Sequence, residues 1–236
     1  MSNHDDKLER IVAARMKLRR RFEAQMLASP SLADAQPQGK GPINRHGMPE
    51  LPPGQHLTKK WPVLDLGVKP EITASDWQLK IDGACSAPRI IRWEELVGPG
   101  LGLAQVEDVS DFHCVTTWSK LGIRWCGVRL VDVLALCEPD DDAGFVFFHG
   151  SDGYTTNLSI VEAVKSDVLL VFEAEGAALD VEHGGPVRVI TPQLYAWKGT
   201  KWVSRIEILR ENRLGFWERN GYSNTAYPWR NDRYSG

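Results

Sequence analysis

Apolar and polar residues alternate, or apolar residues form short runs, through most of the chain after residue 76. The segment Trp77–Ile81 alternates and ends at an Asp-Gly pair, a pattern typical of a strand followed by a tight turn. Short apolar or alternating segments of strand length predict further strands at Val106–Phe112, Phe145–Phe148, Val168–Phe172, Val187–Ile190 and Val203–Leu209.

Helical spacing is confined to shorter stretches between these strands. Trp93–Val97 is long enough for one short helix, and the apolar residues of Arg129–Cys137 fall on one helical face. Ser159–Val164 begins with a serine that can cap a short helix. Because strands and short helices are mixed without a regular βαβ rhythm, the sequence predicts a single α+β domain rather than a doubly wound sheet.

The N-terminal part has a different pattern. Residues 5–28 place apolar residues at helical spacing with basic residues between them, which predicts a basic helix. That helix either lies as a solvated arm on its own domain or docks on a partner or a membrane surface. Ser29–Pro53 is rich in Pro, Gly, Gln and Asn and is interpreted as a linker or extended lead-in. We therefore expect an N-terminal helix and linker over residues 1–50 and a folded domain over residues 51–236.

Composition narrows the class of protein. The chain has 236 residues and a net charge of −3, which argues against nucleic acid as the main partner. No apolar run approaches the roughly 20 residues that span a bilayer, so an integral membrane protein is not expected. The four cysteines form no Cys-x-x-Cys pair, and free thiols suit the cytoplasm. Arg19–Phe22 resembles a twin-arginine export signal but precedes no hydrophobic stretch, so a cytoplasmic location is predicted.

Cys114 is the first candidate for chemistry. It follows a predicted strand and lies in a polar loop, whereas a structural cysteine such as Cys137 has apolar neighbours. A single thiolate suits a soft metal that is already held by another ligand set. His113 either lowers the pKa of this thiol, contacts a cofactor or is an ordinary loop histidine. A buried or incidental cysteine is the alternative interpretation.

A second group of candidate residues lies about seventy residues further on. Arg188 alternates with apolar neighbours in a predicted strand, where a charge seldom occurs without a partner. Lys198 and Lys201 flank Gly199 in a turn whose backbone N–H groups can face an anion. Arginine, lysine and N–H donors together suit a phosphate, although a solvated basic loop has the same composition. The turn at Asp152–Thr156 adds a tyrosine that can face a site.

The order of these pieces resembles the molybdopterin-binding domain of the sulfite oxidase family, from about Leu51 to Trp229. Each motif is weak alone, and their order and spacing carry the resemblance. The motifs are Asp111–Ser119 (DFHCVTTWS), Ser151–Thr156 (SDGYTT), His183–Val189 (HGGPVRV), Tyr195–Trp202 (YAWKGTKW), Gly215–Glu218 (GFWE) and Gly221–Tyr222.

The resemblance implies a mixed-sheet sulfite oxidase-type fold, an N-terminal helical extension and a molybdenum–molybdopterin cofactor. It implies that Cys114 is the metal ligand, and that the catalytic pocket also contains Trp118, Asp152 and Tyr154. The residues expected to hold the cofactor or orient its ligands are His56, His113, Thr116, Ser119, His183, Arg188, Tyr195, Lys198, Gly199 and Lys201. The reaction implied is oxygen-atom transfer on a small molecule.

The sequence departs from sulfite-oxidising relatives just after Cys114, where they carry Asn and Arg residues that form an anion pocket. Because no arginine follows until Arg124, a neutral sulfoxide or N-oxide is the expected substrate, as in the branch that contains methionine-sulfoxide reductase. A sulfite dehydrogenase is the alternative, with Lys120, Arg124 or Arg129 supplying the anion pocket. The 236 residues include no haem-binding domain and no second dimerising domain, so a separate haem or flavin protein is the expected electron partner. A metal-free module of the same fold, and a zinc or thiol enzyme, are further alternatives.

Overall fold

The computed structural model of the protein describes residues 37–235, so the helix predicted at residues 5–28 lies outside the described residues. The strands are β1 (Lys40–Ile43), β2 (Pro49–Leu51), β3 (His56–Leu57), β4 (Gln78–Gly83), β5 (Arg89–Arg92), β6 (Gln105–His113), β7 (Trp118–Arg129), β8 (Phe145–Gly150), β9 (Thr155–Ser159), β10 (Leu169–Ala174), β11 (Ala177–Ala178), β12 (Arg188–Ile190) and β13 (Val203–Leu209). The helices are α1 (Trp93–Val97), α2 (Leu130–Ala135), α3 (Ile160–Ala163) and α4 (Phe216–Arg219), with 3₁₀ turns at Pro99–Leu101, Val181–His183, Ala196–Lys198 and Pro228–Arg230. Every strand and helix predicted within residues 77–209 is therefore confirmed.

Most strands belong to two sheets. In the six-stranded sheet, β7 pairs with β3, β6 and β10, and β10 also pairs with β11 and β12. The five-stranded sheet has the order β5-β4-β13-β8-β9. Strand β13 runs parallel to β4 and antiparallel to β8, and β3 runs parallel to β7. Both sheets are thus mixed, which confirms the predicted α+β fold class.

The main apolar core contains residues from both sheets. In β4, Leu79 and Ile81 are fully buried while Gln78 and Lys80 are exposed, as the alternation predicts. Strand β10 is a continuous apolar run and does not alternate as β4 does, because both of its faces are covered. Leu170 and Phe172 join the main core, while Leu169 and Val171 join a second cluster on the other side of the six-stranded sheet.

The short helices close the ends of strands and bury their apolar faces. All six residues of α2 are buried, including Asp132, so burial extends beyond the single apolar face predicted there. At the start of α3 the Ser159 hydroxyl accepts a hydrogen bond from the backbone N–H of Glu162 at 3.3 Å. This confirms the predicted cap. No helix within residues 37–235 is both long enough and apolar enough to cross a membrane.

A β-hairpin occupies part of the stretch that the composition indicates as a linker. Strands β1 and β2 pair with each other, and Arg45 between them forms an ion pair with Asp108 of β6. The indole N–H of Trp229 donates to the carbonyl of Pro49 at 2.6 Å, which attaches β2 to the C-terminal part of the chain. Residues 40–51 therefore pack on the body of the domain through side chains that no local pattern connects.

Candidate active site

A cavity of about 300 Å³ lies beside Cys114, and its wall is mostly apolar. Nine of the residues predicted for the site line it: Cys114, Thr116, Trp118, Asp152, Tyr154, His183, Arg188, Gly199 and Lys201. They come from four separate segments of the chain, so the fold brings together motifs that the sequence presents apart. Trp61, Pro62, Leu64, Leu66, Phe112, Trp197, Trp217 and Tyr222 supply much of the remaining wall.

The loop that carries Cys114 is a tight connection between β6 and β7. The Cys114 N–H donates to the Trp118 carbonyl at 2.9 Å, and the Thr117 N–H donates to the Cys114 carbonyl at 3.2 Å. Thr117 has a φ of 78°, in the left-handed region, which lets the chain reverse over so few residues. The Cys114 thiol lies 3.1 Å from the Thr116 hydroxyl. Burial raises the thiol pKa, and the contact with Thr116 and the charge of Arg233 oppose that rise.

His113 and Ser119 form a hydrogen-bonded support behind this loop. The Ser119 hydroxyl donates to Oε1 of Gln55 at 3.3 Å and lies 2.8 Å from Nδ1 of His113. Since a hydroxyl has one hydrogen, Ser119 accepts from His113, and Nδ1 carries the proton. Burial lowers the pKa of His113 to about 3, so the imidazole is neutral at physiological pH. A neutral imidazole carries no charge that favours the Cys114 thiolate, so the geometry supports His113 as a hydrogen-bonding support of the loop.

Arg188 and Lys201 make one side of the cavity cationic. The Arg188 side chain is 2% exposed and donates to the backbone carbonyls of His183 at 2.9 Å, Val189 at 3.4 Å and Gly199 at 3.5 Å. No ion pair among residues 37–235 includes Arg188, and burial lowers its pKa to about 10. Burial and the charge of Arg188 lower the pKa of Lys201 to about 8. Arg188 is buried and Lys201 is partly buried, and neither has a carboxylate in contact among the described residues, which favours an anionic ligand.

His183 is held against the same side by Trp61. The two rings stack with their centroids 3.7 Å apart, and Nε2 of His183 lies 3.0 Å from the Trp61 carbonyl. Nδ1 lies 2.9 Å from both carboxylate oxygens of Asp180. Both ring nitrogens thus lie within hydrogen-bond distance of oxygen atoms. The histidine therefore has a defined orientation at the cavity wall.

Another part of the wall is aromatic. Trp217 and Tyr222 stack with ring centroids 4.9 Å apart, and Trp197 meets Tyr222 edge-on at 5.0 Å. The Tyr154 hydroxyl donates to the Trp197 carbonyl, and burial raises the pKa of Tyr154 well above its ordinary value. The Tyr154 hydroxyl therefore uses its hydrogen in a bond to the protein backbone. Asp152 accepts the Tyr154 N–H at 3.0 Å, and burial raises the pKa of its carboxyl group.

Five residues predicted for the site do not line the cavity. His113 and Ser119 lie behind the Cys114 loop, and His56 is exposed on β3, where its backbone N–H donates to the Thr117 carbonyl at 2.9 Å. Tyr195 is buried and forms an isolated β-bridge with His113. These four residues support the loop from behind or from its edge.

Lys198 differs most from its predicted place. Its ammonium group lies 2.7 Å from Oε1 of Glu218 and donates to Oδ1 of Asn157 at 2.6 Å. Both charged side chains of this ion pair are buried. The charge of Lys198 is therefore neutralised within the protein, and its position does not support the predicted contact with an anionic cofactor.

Three residues around the loop and the cavity were not identified from sequence. Gln55 donates from Nε2 to the Cys114 carbonyl at 3.0 Å, and Arg233 donates to the carbonyl of Val115. Trp61 covers His183. These residues come from the N-terminal lead-in and the C-terminal end, so no spacing relates them to the motifs. The only sequence signal near any of them was the predicted cofactor contact at His56, the residue after Gln55.

Comparison with known proteins agrees with this geometry. Residues 66–217 match the family described as "Oxidoreductase molybdopterin binding domain". The chain is 37% identical over 186 residues to the uncharacterized oxidoreductase YuiH of Bacillus subtilis (strain 168), covering 78% of this chain and 92% of that protein. The matched residues 66–217 contain the Cys114 loop and the cationic side of the cavity.

Other relatives share smaller parts. The putative protein-methionine-sulfoxide reductase subunit YedZ1 of Azospira oryzae is 28% identical over 65% of this chain, which spans 56% of that protein. Human mitochondrial sulfite oxidase is 34% identical over 42% of this chain, which spans 20% of it. The crystal structure of the sulfane dehydrogenase SoxCD from Paracoccus pantotrophus superposes with a TM-score of 0.56 at 21% identity, covering 65% of this chain and 42% of that one. This likeness confirms the sulfite oxidase-type fold.

The residues at the cavity fit the cofactor of such a family. Cys114 offers one thiol, the donor that suits a soft metal, in a wall with no competing cysteine among its described residues. Arg188 and Lys201 offer unneutralised positive charge for an anionic group such as a phosphate. The match over residues 66–217, together with this donor set, shows that the chain belongs to the oxidoreductase molybdopterin binding domain family and is an oxidoreductase with a molybdenum–molybdopterin cofactor.

Proposed function

We propose that the protein reduces a small neutral sulfoxide or N-oxide by oxygen-atom transfer. The observation that carries this proposal is the aromatic wall beside Cys114, which includes Trp118, Trp217 and Tyr222. Apolar and aromatic walls favour an uncharged ligand over a hydrated oxyanion. The name of the Azospira relative, a putative methionine-sulfoxide reductase subunit, supports the same substrate class.

The alternative is sulfite oxidation with a separate electron acceptor. None of the three residues named for its anion pocket, Lys120, Arg124 and Arg129, lines the cavity. Arg124 pairs with Glu175 at 3.5 Å and its side chain is mostly exposed, while Lys120 donates to the Lys59 carbonyl at 3.5 Å. Sulfite would then depend on Arg188 and Lys201, the cations that we assign to the cofactor. The relative named sulfite oxidase keeps this alternative open to test.

The protein side of the reaction follows from the positions of its residues. When bound, the molybdenum cofactor supplies the two-electron redox chemistry. Cys114 binds the metal, His183 and the cations Arg188 and Lys201 orient the anionic cofactor, and the Trp118 side of the cavity excludes water. We assign Thr116, 3.1 Å from the Cys114 sulfur, to orienting the thiolate.

Proton supply is the second task of the site. Reduction of a sulfoxide consumes two electrons and two protons and releases a thioether and water. Asp152 lines the cavity, and burial raises the pKa of its carboxyl group, so it retains a proton at higher pH than an exposed aspartate. We assign Asp152 as a proton donor.

A separate haem or flavin protein supplies the electrons. The four free cysteines suit a cytoplasmic location.

A substrate panel on molybdenum-loaded protein tests the proposal. Dimethyl sulfoxide, methionine sulfoxide and trimethylamine N-oxide are assayed with a reduced viologen dye, and sulfite is assayed with ferricyanide. We expect turnover of at least one neutral oxide and no sulfite-dependent reduction. Sulfite turnover in excess of every neutral oxide would overturn the proposal in favour of the alternative.

Asp152→Asn tests the assignment of the proton donor. The substitution retains the acceptor for the Tyr154 N–H and removes the acidic proton, so kcat should fall roughly a hundredfold or more. Asp142→Asn is the matched control, because Asp142 lies at an exposed ion pair with Arg210. Equal activities of the two variants, at equal molybdenum content, would remove Asp152 from the reaction.

A further inference from the structure

The C-terminal residues of the described chain return to the loop that carries the metal ligand. Arg233 lies there with only 8% of its surface exposed. Its backbone is fixed by two hydrogen bonds: its N–H donates to the Asn231 carbonyl at 2.9 Å, and its carbonyl accepts from the Ser223 N–H at 3.1 Å. The side chain is therefore presented to the interior from an anchored backbone.

The Arg233 guanidinium group is surrounded by acceptors and one ring. Nη1 donates to the carbonyl of Val115, the residue after Cys114, and Nη2 donates to the Pro53 carbonyl at 3.2 Å. Nε donates to Oδ1 of Asn231 at 2.8 Å. The group also lies over the Tyr195 ring, 4.9 Å from its centroid. All three guanidinium nitrogens thus donate a hydrogen bond, and these bonds hold the planar group in one orientation.

Arg233 and Gln55 hold consecutive carbonyls of the metal-ligand loop. Gln55 donates to the carbonyl of Cys114 at 3.0 Å, and Arg233 donates to the next carbonyl, that of Val115. Arg233 also bonds Pro53, two residues before Gln55. One arginine therefore connects the C-terminal end, the N-terminal lead-in and the loop in a single network, which fixes the direction of the Cys114 side chain.

The charge of Arg233 has no carboxylate in contact. No ion pair within residues 37–235 includes it, and its partners are carbonyls, an amide and a ring. The charge is held next to the metal-ligand loop, because Nη1 contacts the carbonyl of Val115, the residue after Cys114. A buried cation without a counter-ion is unfavourable alone and becomes favourable beside a negatively charged metal–sulfur centre.

We propose that Arg233 is a positioning residue for molybdenum: it fixes the Cys114–Val115 peptide, and its charge offsets the negative charge of the thiolate-bound centre. This proposal depends on binding of the molybdenum cofactor and does not depend on which substrate the protein reduces. The geometry of the metal–sulfur bond and the stability of the reduced metal then depend on a residue 119 positions away from the ligand in the sequence.

The test uses molybdenum-loaded protein and the variants Arg233→Gln, Arg233→Lys and Arg210→Gln. Arg210 is the matched control, because it forms exposed ion pairs with Asp140 and Asp142. The first readout is the Mo(V) electron paramagnetic resonance spectrum, which reports the geometry of the metal–sulfur bond. The second is hydrogen–deuterium exchange of the amides of residues 114–118.

We expect Arg233→Gln to change the Mo(V) spectrum and to speed exchange of these amides by about tenfold or more, as loss of a charged hydrogen bond allows. Arg233→Lys retains the charge and should recover part of the spectrum, whereas Arg210→Gln should match the unmodified protein. An unchanged spectrum and unchanged loop exchange in Arg233→Gln would refute the proposal. Faster exchange spread evenly over the domain, with an unchanged spectrum, would also refute it by showing a purely structural role.

Molybdenum content separates this proposal from the proposed function. If the unmodified protein retains molybdenum but reduces no sulfoxide or N-oxide, the substrate proposal fails while the spectra still test Arg233. If only Arg233→Gln fails to retain molybdenum, and Arg233→Lys retains it, the charge requirement is supported. If neither variant retains molybdenum although both remain folded, the fixed guanidinium geometry is supported over charge alone.

Discussion

Substitution of Lys198 by methionine separates a structural role from cofactor binding. The Lys198 ammonium group lies 2.7 Å from Glu218 and 2.6 Å from Asn157, and the two charged side chains are 1% and 0% exposed. Burial lowers the pKa of Lys198, and the adjacent carboxylate opposes that shift. Methionine has a similar volume but leaves the Glu218 carboxylate buried without a cation.

The size of the effect follows from that unpaired carboxylate. Removing one partner of a buried ion pair costs about 3–5 kcal/mol, because the remaining charge lacks both water and a counter-ion. Thr156 still donates to Glu218 at 2.8 Å, so we expect the lower end of this range. For a domain of this size, about 3 kcal/mol corresponds to a decrease of roughly 6–12 °C in Tm.

Urea unfolding followed by tryptophan fluorescence measures the effect as a lower midpoint at an unchanged slope. The double variant Lys198→Met with Glu218→Gln removes both charges and should recover a large part of the lost free energy of unfolding. A loss below about 1 kcal/mol in the single variant would refute the ion-pair reasoning, since that is the range of exposed pairs. Retained molybdenum in the folded variant would exclude the predicted cofactor contact.

Other changes to the site have direct outcomes. Cys114→Ser should remain folded and lose activity, because a hydroxyl is a poorer donor than a thiolate, while elemental mass spectrometry should still find molybdenum, since the metal's other ligand set remains. Trp61→Ala removes the ring 3.7 Å from His183 and should lower stability by about 0.5–1.5 kcal/mol beyond the loss of buried area, whereas Trp61→Phe should lose less. Burial and Arg188 lower the Lys201 pKa from 10.5 to about 8, so cofactor-free protein should gain stability as pH rises from 8 to 10.5. That gain should be absent in Lys201→Met, and a steady fall in stability of the unmodified protein relative to Lys201→Met over this range would contradict the reasoning.

Local patterns predicted the regular structure well because their causes are local. The alternation of β4 reflects one buried and one exposed face, and the cap of α3 is a contact between residues three positions apart. The Cys114 loop was recognisable for a similar reason, since a cysteine among polar residues after a strand is distinct within a few positions. The family resemblance added the cavity residues that its motifs contain.

Lys198 shows where local patterns mislead. A lysine beside Gly199 in a basic turn has the composition of an anion site, and Lys201 does line the cavity. The 3₁₀ turn at Ala196–Lys198 directs Lys198 the other way, towards Glu218 of α4. Spacing does not show which side of such a turn meets a carboxylate twenty residues away, because that depends on how α4 packs.

The sequence by itself determined six of the strands, three of the short helices, the candidate cysteine and the cationic segment, since each follows from residues close together in the chain. Tertiary structure decided which side chains support them. Gln55 and Arg233 meet at one loop, and Trp61 meets His183, only because the ends of the chain return to the same side of the domain. Such contacts are set by the packing of two sheets and by chain reversals across more than a hundred residues, and no local period encodes them.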